Sequence, residues 1–379
     1  MRERPAPLVL VVDPSEAAAE ATFGSHAAVA AAGQRLLAGE LSERLARVGA
    51  AVSPLLPERP PDGGSFHWGR WFAAAARAAL NASGGAVDAI GYAGGGSLAL
   101  VGEGTLDDLL SPIAGEVVGN NRFSTDAFVV AGDLEAALAA LEACPTDNAA
   151  VRALEAGGFA VRDLAAAPWS RFDVDTPLDL ALLRLAATLP GGRRPSEAVA
   201  RFLAMAQLPG GRGLDVPRLD DLGAVIRDRD AELVVAGRVP ASTIAFLETE
   251  TACRVRAFVE ERGMRSARGT AVPRSLLATL MERTSPAELI AELAALGDAV
   301  VLDTRVLMAA RGGSADAAAW PPEEERFASD FGDHARIATP WLAELTRAAA
   351  EASVPVLLGG HALVSDGLRL LVGAAWVGR

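Results

Sequence analysis

Short runs of aliphatic and β-branched residues alternate with Ala- and Leu-rich stretches along nearly the whole chain, and that alternation restricts it to α/β architectures. Apolar runs predict strands at 8–12, 50–56, 87–92, 116–118, 127–130 and 159–164, then at 232–236, 254–259, 299–302 and 354–358. Between them, helical periodicity predicts helices across 25–48 and at 68–81, 105–110, 133–142, 147–156 and 177–188. The later helices fall at 195–206, 219–226, 242–250, 273–282, 285–296 and 340–352. Strands separated by helices build mainly parallel sheets with helices on their faces. The segment Leu189-Pro190-Gly191-Gly192-Arg193-Arg194-Pro195 breaks all periodicity. It predicts a boundary between a domain at 1–190 and a second α/β domain at 195–379. The polar, Pro-rich stretch 312–325 reads as a long loop or lid.

A chain of 379 residues is comfortable for two cores. With 51% hydrophobic and 22% charged residues it has enough apolar surface to fold as a globular protein. Its net charge of −13 argues against nucleic-acid or anionic-membrane partners. All 35 basic residues are arginine, which excludes a Schiff-base lysine or a phosphate-loop lysine. Anion recognition then falls to arginine, backbone N–H groups or helix N-termini. No run reaches the roughly 18 apolar residues of a membrane span, and Leu8–Val12 is too short for a signal sequence. Cys144 and Cys253 lack metal-ligand spacing and fit a reduced, cytoplasmic protein, although a bridge between them stays open.

The densest motif is Asp173-Val174-Asp175-Thr176-Pro177-Leu178-Asp179-Leu180. On a strand, Asp173 and Asp175 point to one face. Thr176 can cap the next helix, Pro177 suits its first turn and Asp179 favours its positive end. Two carboxylates at a strand end suggest a divalent cation, Mg²⁺, held by Asp173 and Asp175. The alternative is a capped turn with solvated acids.

With this string before its last helix, the order of elements over residues 7–188 resembles the nucleotidyltransferases of the nucleotide-diphospho-sugar transferase superfamily. The molybdenum-cofactor and 2-phospho-lactate guanylyltransferase groups are the nearest in pattern. Gly64-Ser65-Phe66-His67-Trp68-Gly69 is similar to the segment that precedes their central strand. The resemblance implies a mixed sheet flanked by helices (GT-A/Rossmann-like), a nucleotide or phosphorylated small molecule as ligand, and Mg²⁺. Two features depart from that pattern. The first strand runs into Asp13-Pro14-Ser15-Glu16, where the family has a Gly- and Arg-bearing triphosphate loop followed by a lysine. At Gly94-Gly95-Gly96-Ser97 the family's first metal-binding aspartate is missing. The glycines still allow close backbone approach and anion binding, with a flexible turn as the alternative. Asn120 and Asn121, with Arg122, Ser124 and Asp126, stand where relatives place a substrate-contacting segment; a capped turn reads equally well.

In the second half, four predicted strands end in polar loops. If they are parallel neighbours, Arg238, Arg262, Arg265, Asp303, Arg305 and His361 converge on one crevice suited to phosphate or carboxylate. Against this, Arg262 and Arg265 can pair with Glu260 and Glu261, and Asp303 with Arg305. Asp330, Asp333 and His334 suggest a metal site or a solvated loop. Gly-x-Ser-x-Gly, His-Glu-x-x-His and Gly-x-Gly-x-x-Gly are absent. Three readings follow: a degenerate nucleotidyltransferase-like protein that binds a nucleotide or phosphorylated small molecule, a non-catalytic binding or assembly protein on the same fold, or a phosphate-ligand enzyme using Arg238, Arg305 and His361. A homodimer is compatible with each.

Overall fold

The computed structural model describes residues 5–55, 66–84, 87–164, 167, 169–190, 194–261, 264 and 272–377. It comprises two compact units, one of Met1–Ser15 with Ala31–Asp173, the other of Glu16–Ala30 with Val174–Arg379. The division therefore falls at Asp173, ahead of the Pro/Gly break at 189–195, because the helix following Thr176 packs within the second unit. Residues 56–65, Gly64 and Ser65 among them, lie outside the described residues, as do Gly191–Arg193.

The chain begins with β1 (Leu8–Val12), α1 (Glu16–Phe23), α2 (Ser25–Arg47), β2 (Ala51–Leu55), α3 (Trp68–Ala82) and β3 (Ala89–Ala93). It continues through α4 (Glu103–Leu109), β4 (Glu116–Gly119), β5 (Ala127–Ala131), α5 (Leu134–Glu142), α6 (Ala150–Ala156) and β6 (Ala160–Asp163). The strands form one six-stranded sheet in the order β2-β1-β3-β5-β4-β6. Only β5 runs antiparallel to its neighbours. Period-two alternation sorts the side chains between two cores. Leu8, Leu10, Ile90, Tyr92, Phe128 and Val130 face α3, α5 and α6, where Trp68 stacks on Phe72 at 5.2 Å. Val9, Val11, Ala93, Val118 and Val129 face Ala38, Leu41 and Leu45 of α2 and Leu106 and Leu109 of α4.

The second unit contains α7 (Pro177–Ala186), α8 (Glu197–Met205), the short hairpin β7 (Gln207–Leu208) and β8 (Arg212–Gly213), and α9 (Leu219–Arg227). Next come β9 (Glu232–Gly237), α10 (Ala241–Glu250), β10 (Arg254–Val259), α11 (Leu276–Arg283), α12 (Pro286–Ala295) and β11 (Ala299–Asp303). The chain then forms α13 (Thr304–Gly312), α14 (Glu323–Asp330), α15 (Pro340–Glu351), β12 (Val356–Gly359) and α16 (Leu368–Val377). The order β10-β9-β11-β12 makes a four-stranded sheet, parallel throughout. Val234, Ala236, Val300, Leu302 and Leu358 pack with residues of α11, α12 and α15. The stretch 312–325, expected as a long loop or lid, is a connection over 313–322 that holds one short 3-10 turn, with α14 starting at Glu323. α13 runs through Gly312, Gly313 ends it in the left-handed conformation, and Trp320 is buried just before α14.

Among the described residues, no helix is long and apolar enough to cross a membrane. Cys144 and Cys253 are buried, unbridged and in different units.

Candidate functional site

In an open parallel sheet, ligands gather beyond the carboxyl ends of the strands, where the strand order reverses. In the second unit β10 lies on one side of β9, and β11 and β12 on the other, so the reversal falls between β9 and β11. These two strands end at Gly237 and Asp303. Gly237 has φ +112°, and a Cβ there would stand 2.5 Å from the Asp303 Cβ. Glycine at this strand end thus lets the next residue, Arg238, turn back onto Asp303.

Arg238 grips Asp303 through two parallel hydrogen bonds, Nε to Oδ2 at 2.5 Å and Nη2 to Oδ1 at 3.0 Å. The Arg238 backbone N–H also donates to Oδ2, at 3.3 Å. Asp303 is fully buried and caps α13 by accepting from the Arg305 N–H at 3.1 Å. Its carboxylate thus joins one strand end, one arginine and one helix start. Arg305 turns the other way and makes a bidentate pair with Asp330, at the last residue of α14. Its Nη1 also donates to Thr304 Oγ1, whose hydroxyl bonds the Gly359 carbonyl at 3.2 Å. The ends of β11 and β12 are thereby tied together. His361 follows β12 after Gly360, half-buried and close enough to Asp303 for a favourable charge interaction.

The electrostatics follow from this packing. Burial alone would raise the Asp303 carboxyl, but Arg238, assisted by His361 and Arg305, outweighs it and holds Asp303 below its ordinary range. For Arg305, burial works against the charge, and Asp330, Asp303 and Asp179 more than restore it. Burial lifts the Asp330 carboxyl, and Arg305 opposes that rise. The predicted Asp303–Arg305 pair is therefore corrected to two pairs, Arg238 with Asp303 and Arg305 with Asp330. Asp330 belongs to neither a solvated loop nor a metal cluster. It is buried against Arg305 because α14, which sequence periodicity missed, carries it inward.

Arg238, Arg305 and His361 thus gather as their strand-end positions implied; Arg262 and Arg265 lie outside the described residues. Arg305 is 5% exposed and committed to Asp330. Arg238 differs, because its Nη1 has no partner among the described residues while Asp303 fixes the other side of the guanidinium. That free edge is the group best placed to take an oxyanion.

The candidates in the first unit meet a different fate. The Gly94–Ser97 turn is not an open loop. Gly95, Gly96 and Ser97 are buried, and a Cβ on Gly95 would meet the Val12 carbonyl at 3.0 Å and Pro14 at 3.2 Å. The close backbone approach that these glycines permit is made to the end of β1. Since the strand order reverses between β1 and β3, this turn fills the position where a ligand would be expected. Asn120 is buried, and its side-chain amide is fully engaged: Oδ1 accepts from Asp126 and Ala127, while Nδ2 donates to Asp126 and Ser170. Asn121 accepts from the Phe123 N–H at 3.1 Å in a local turn. Both asparagines act as turn residues here.

The Asp173 string divides similarly. Residues 172–175 form no strand, so the one-face argument for Asp173 and Asp175 does not hold. Asp173 is half-buried and Asp175 exposed, with its backbone N–H donating to Asp179. Mg²⁺ is often held by one or two carboxylates with water and phosphate completing its shell, so Asp173 and Asp175 would supply at most two protein groups. Among the described residues no three His, Cys, Asp or Glu side chains gather as they would around a metal ion. The capping reading is the one the local geometry fulfils. Thr176 accepts from the Asp179 N–H, and Asp179 accepts from the Thr176 N–H at 2.8 Å. Compared with protein families and with curated proteins, the chain matches none.

Proposed function

We propose that this chain binds a small phosphorylated or carboxylated molecule at the carboxyl edge of the parallel sheet of its second unit. One observation carries the reading: Arg238 stands where the strand order reverses, clamped by fully buried Asp303, with Nη1 lacking a protein partner among the described residues. A guanidinium held in this way loses little side-chain freedom on meeting an oxyanion. His361 adds a second polar group near Asp303, and Asp330 keeps the buried Arg305 charged.

The first unit supports a second reading, a nucleotidyltransferase-like framework. Its mixed six-stranded sheet with one antiparallel strand, followed by the Asp-Thr-Pro cap, favours that kinship. The buried glycine turn across the end of β1 argues that a nucleotide site there has been filled in.

Thermal-shift titration of the full chain with inorganic phosphate, sugar phosphates and nucleoside triphosphates, each with and without Mg²⁺, separates the two. The proposal expects a metal-independent rise in Tm that Arg238→Ala removes. A rise that requires Mg²⁺ and is lost in Asp173→Ala favours the nucleotidyltransferase reading. If no anion shifts the transition, the strand-end site does not bind this class of ligand.

A further inference from the structure

The two outer strands of the parallel sheet differ sharply. β12 is buried along its length, whereas four of the six residues of β10 are exposed and the other two half-buried. Parallel sheets are normally covered, and an open edge is a template for another strand. The hydrogen bonds fix which atoms face outward. Arg254 N–H donates to Ala231 and Glu260 N–H to Gly237, both toward β9. Because backbone groups alternate along a strand, the N–H and C=O of Val255, Ala257 and Val259 point to the open edge.

We infer that this edge pairs with the same edge of a second copy, antiparallel, about a two-fold axis at Ala257. A two-fold axis normal to the sheet keeps like faces together, so residues of the same parity stand opposite one another. Centring on Ala257 sets Val255 opposite Val259 as hydrogen-bonded pairs and leaves only small Ala257 side chains at the axis. It also places Arg254 opposite Glu260, giving an opposite-charge pair on each side. Moving the axis one residue earlier would set Arg256 against Arg256.

The arginines of this strand do not guard the edge in the usual way. Arg256 lies over β9, bonded to Glu232 at 3.0 and 3.2 Å, and Arg254 reaches the Asp230 carbonyl. At the end of β10, the Glu260 carboxylate caps α11 through Ser275 and the Leu276 N–H. Exposed Val259 adds apolar area to the strand pairing, which stable dimers need.

Sedimentation velocity of the full chain over a range of concentrations tests the pairing. The wild type is expected to sediment as a dimer. Ala257→Pro, which removes an N–H directed at the partner and none directed at β9, is expected to give monomers with an unchanged circular-dichroism spectrum. Arg254→Glu sets like charges opposite Glu260 and should also give monomers, so a folding defect in the proline variant would not leave the question open. A wild type that stays monomeric at its highest soluble concentration overturns the inference. A dimer that survives Arg254→Glu, or Ala257→Pro in its folded form, overturns it equally.

Discussion

Asp179 shows how much one residue's meaning depends on burial. In sequence it is an acid in the first turn of a helix, stabilised by the positive helix end. In the structure it is 4% exposed; burial, reinforced by the nearby Asp175 charge, pushes its carboxyl up to about 7 despite hydrogen bonds from Asp175 and Thr176. The folded state therefore holds a proton that the unfolded chain releases near pH 4. The stability this provides is complete below the unfolded value and is lost as pH rises toward about 7. Asp179→Asn keeps an acceptor for the cap and abolishes the titration. Relative to wild type, it should gain on the order of 3 kcal/mol in urea unfolding free energy between pH 4 and pH 8. An equal difference at both pH values would show that Asp179 is ionised throughout. Asp303 is buried more completely, yet its carboxyl moves down, because Arg238 faces it. The two aspartates look alike in sequence, where partners far along the chain cannot be seen.

At the scale of elements, local chemistry was legible wherever it stayed local. Thr176, Pro177 and Asp179 announce the start of α7, and the capping box is present. Thr176→Ala should lower stability by about 1 kcal/mol in chemical denaturation, the usual loss for an N-cap hydroxyl; an unchanged midpoint would show that Asp179 suffices alone. All ten predicted strands form, because continuous β-branched runs between turns have few other outcomes. Four helices, α1, α13, α14 and α16, escaped the sequence pattern, two of them for specific reasons. α13 begins at Thr304, directly after β11 ends at Asp303, so the strand pattern runs into it without a break. α14 carries Glu323, Glu324 and Glu325 after a double proline, which reads as a loop. Its stability comes from burying Phe327 and Ala328 and from the fit of an acidic first turn to the helix dipole.

At the scale of the whole molecule, each unit has its own sheet and its own buried cores, so unfolding should not be two-state. Phe72 is fully buried in the aromatic cluster of the first unit. Phe72→Ala should cost that unit about 3–5 kcal/mol and lower one calorimetric transition while leaving the other in place; a single transition shifting as one would refute independent cores. Local pattern and composition set the α/β class, the strand positions, the cap at Thr176 and the restriction of basic side chains to arginine. All of these rest on neighbours within a few residues or on composition. Only the tertiary structure decided which charges meet. It paired Arg238 with Asp303 and Arg305 with Asp330, packed the glycine turn against β1, and left Asp173 and Asp175 off any strand. Such pairings join residues tens of positions apart, and their energies come from a burial that no local pattern encodes.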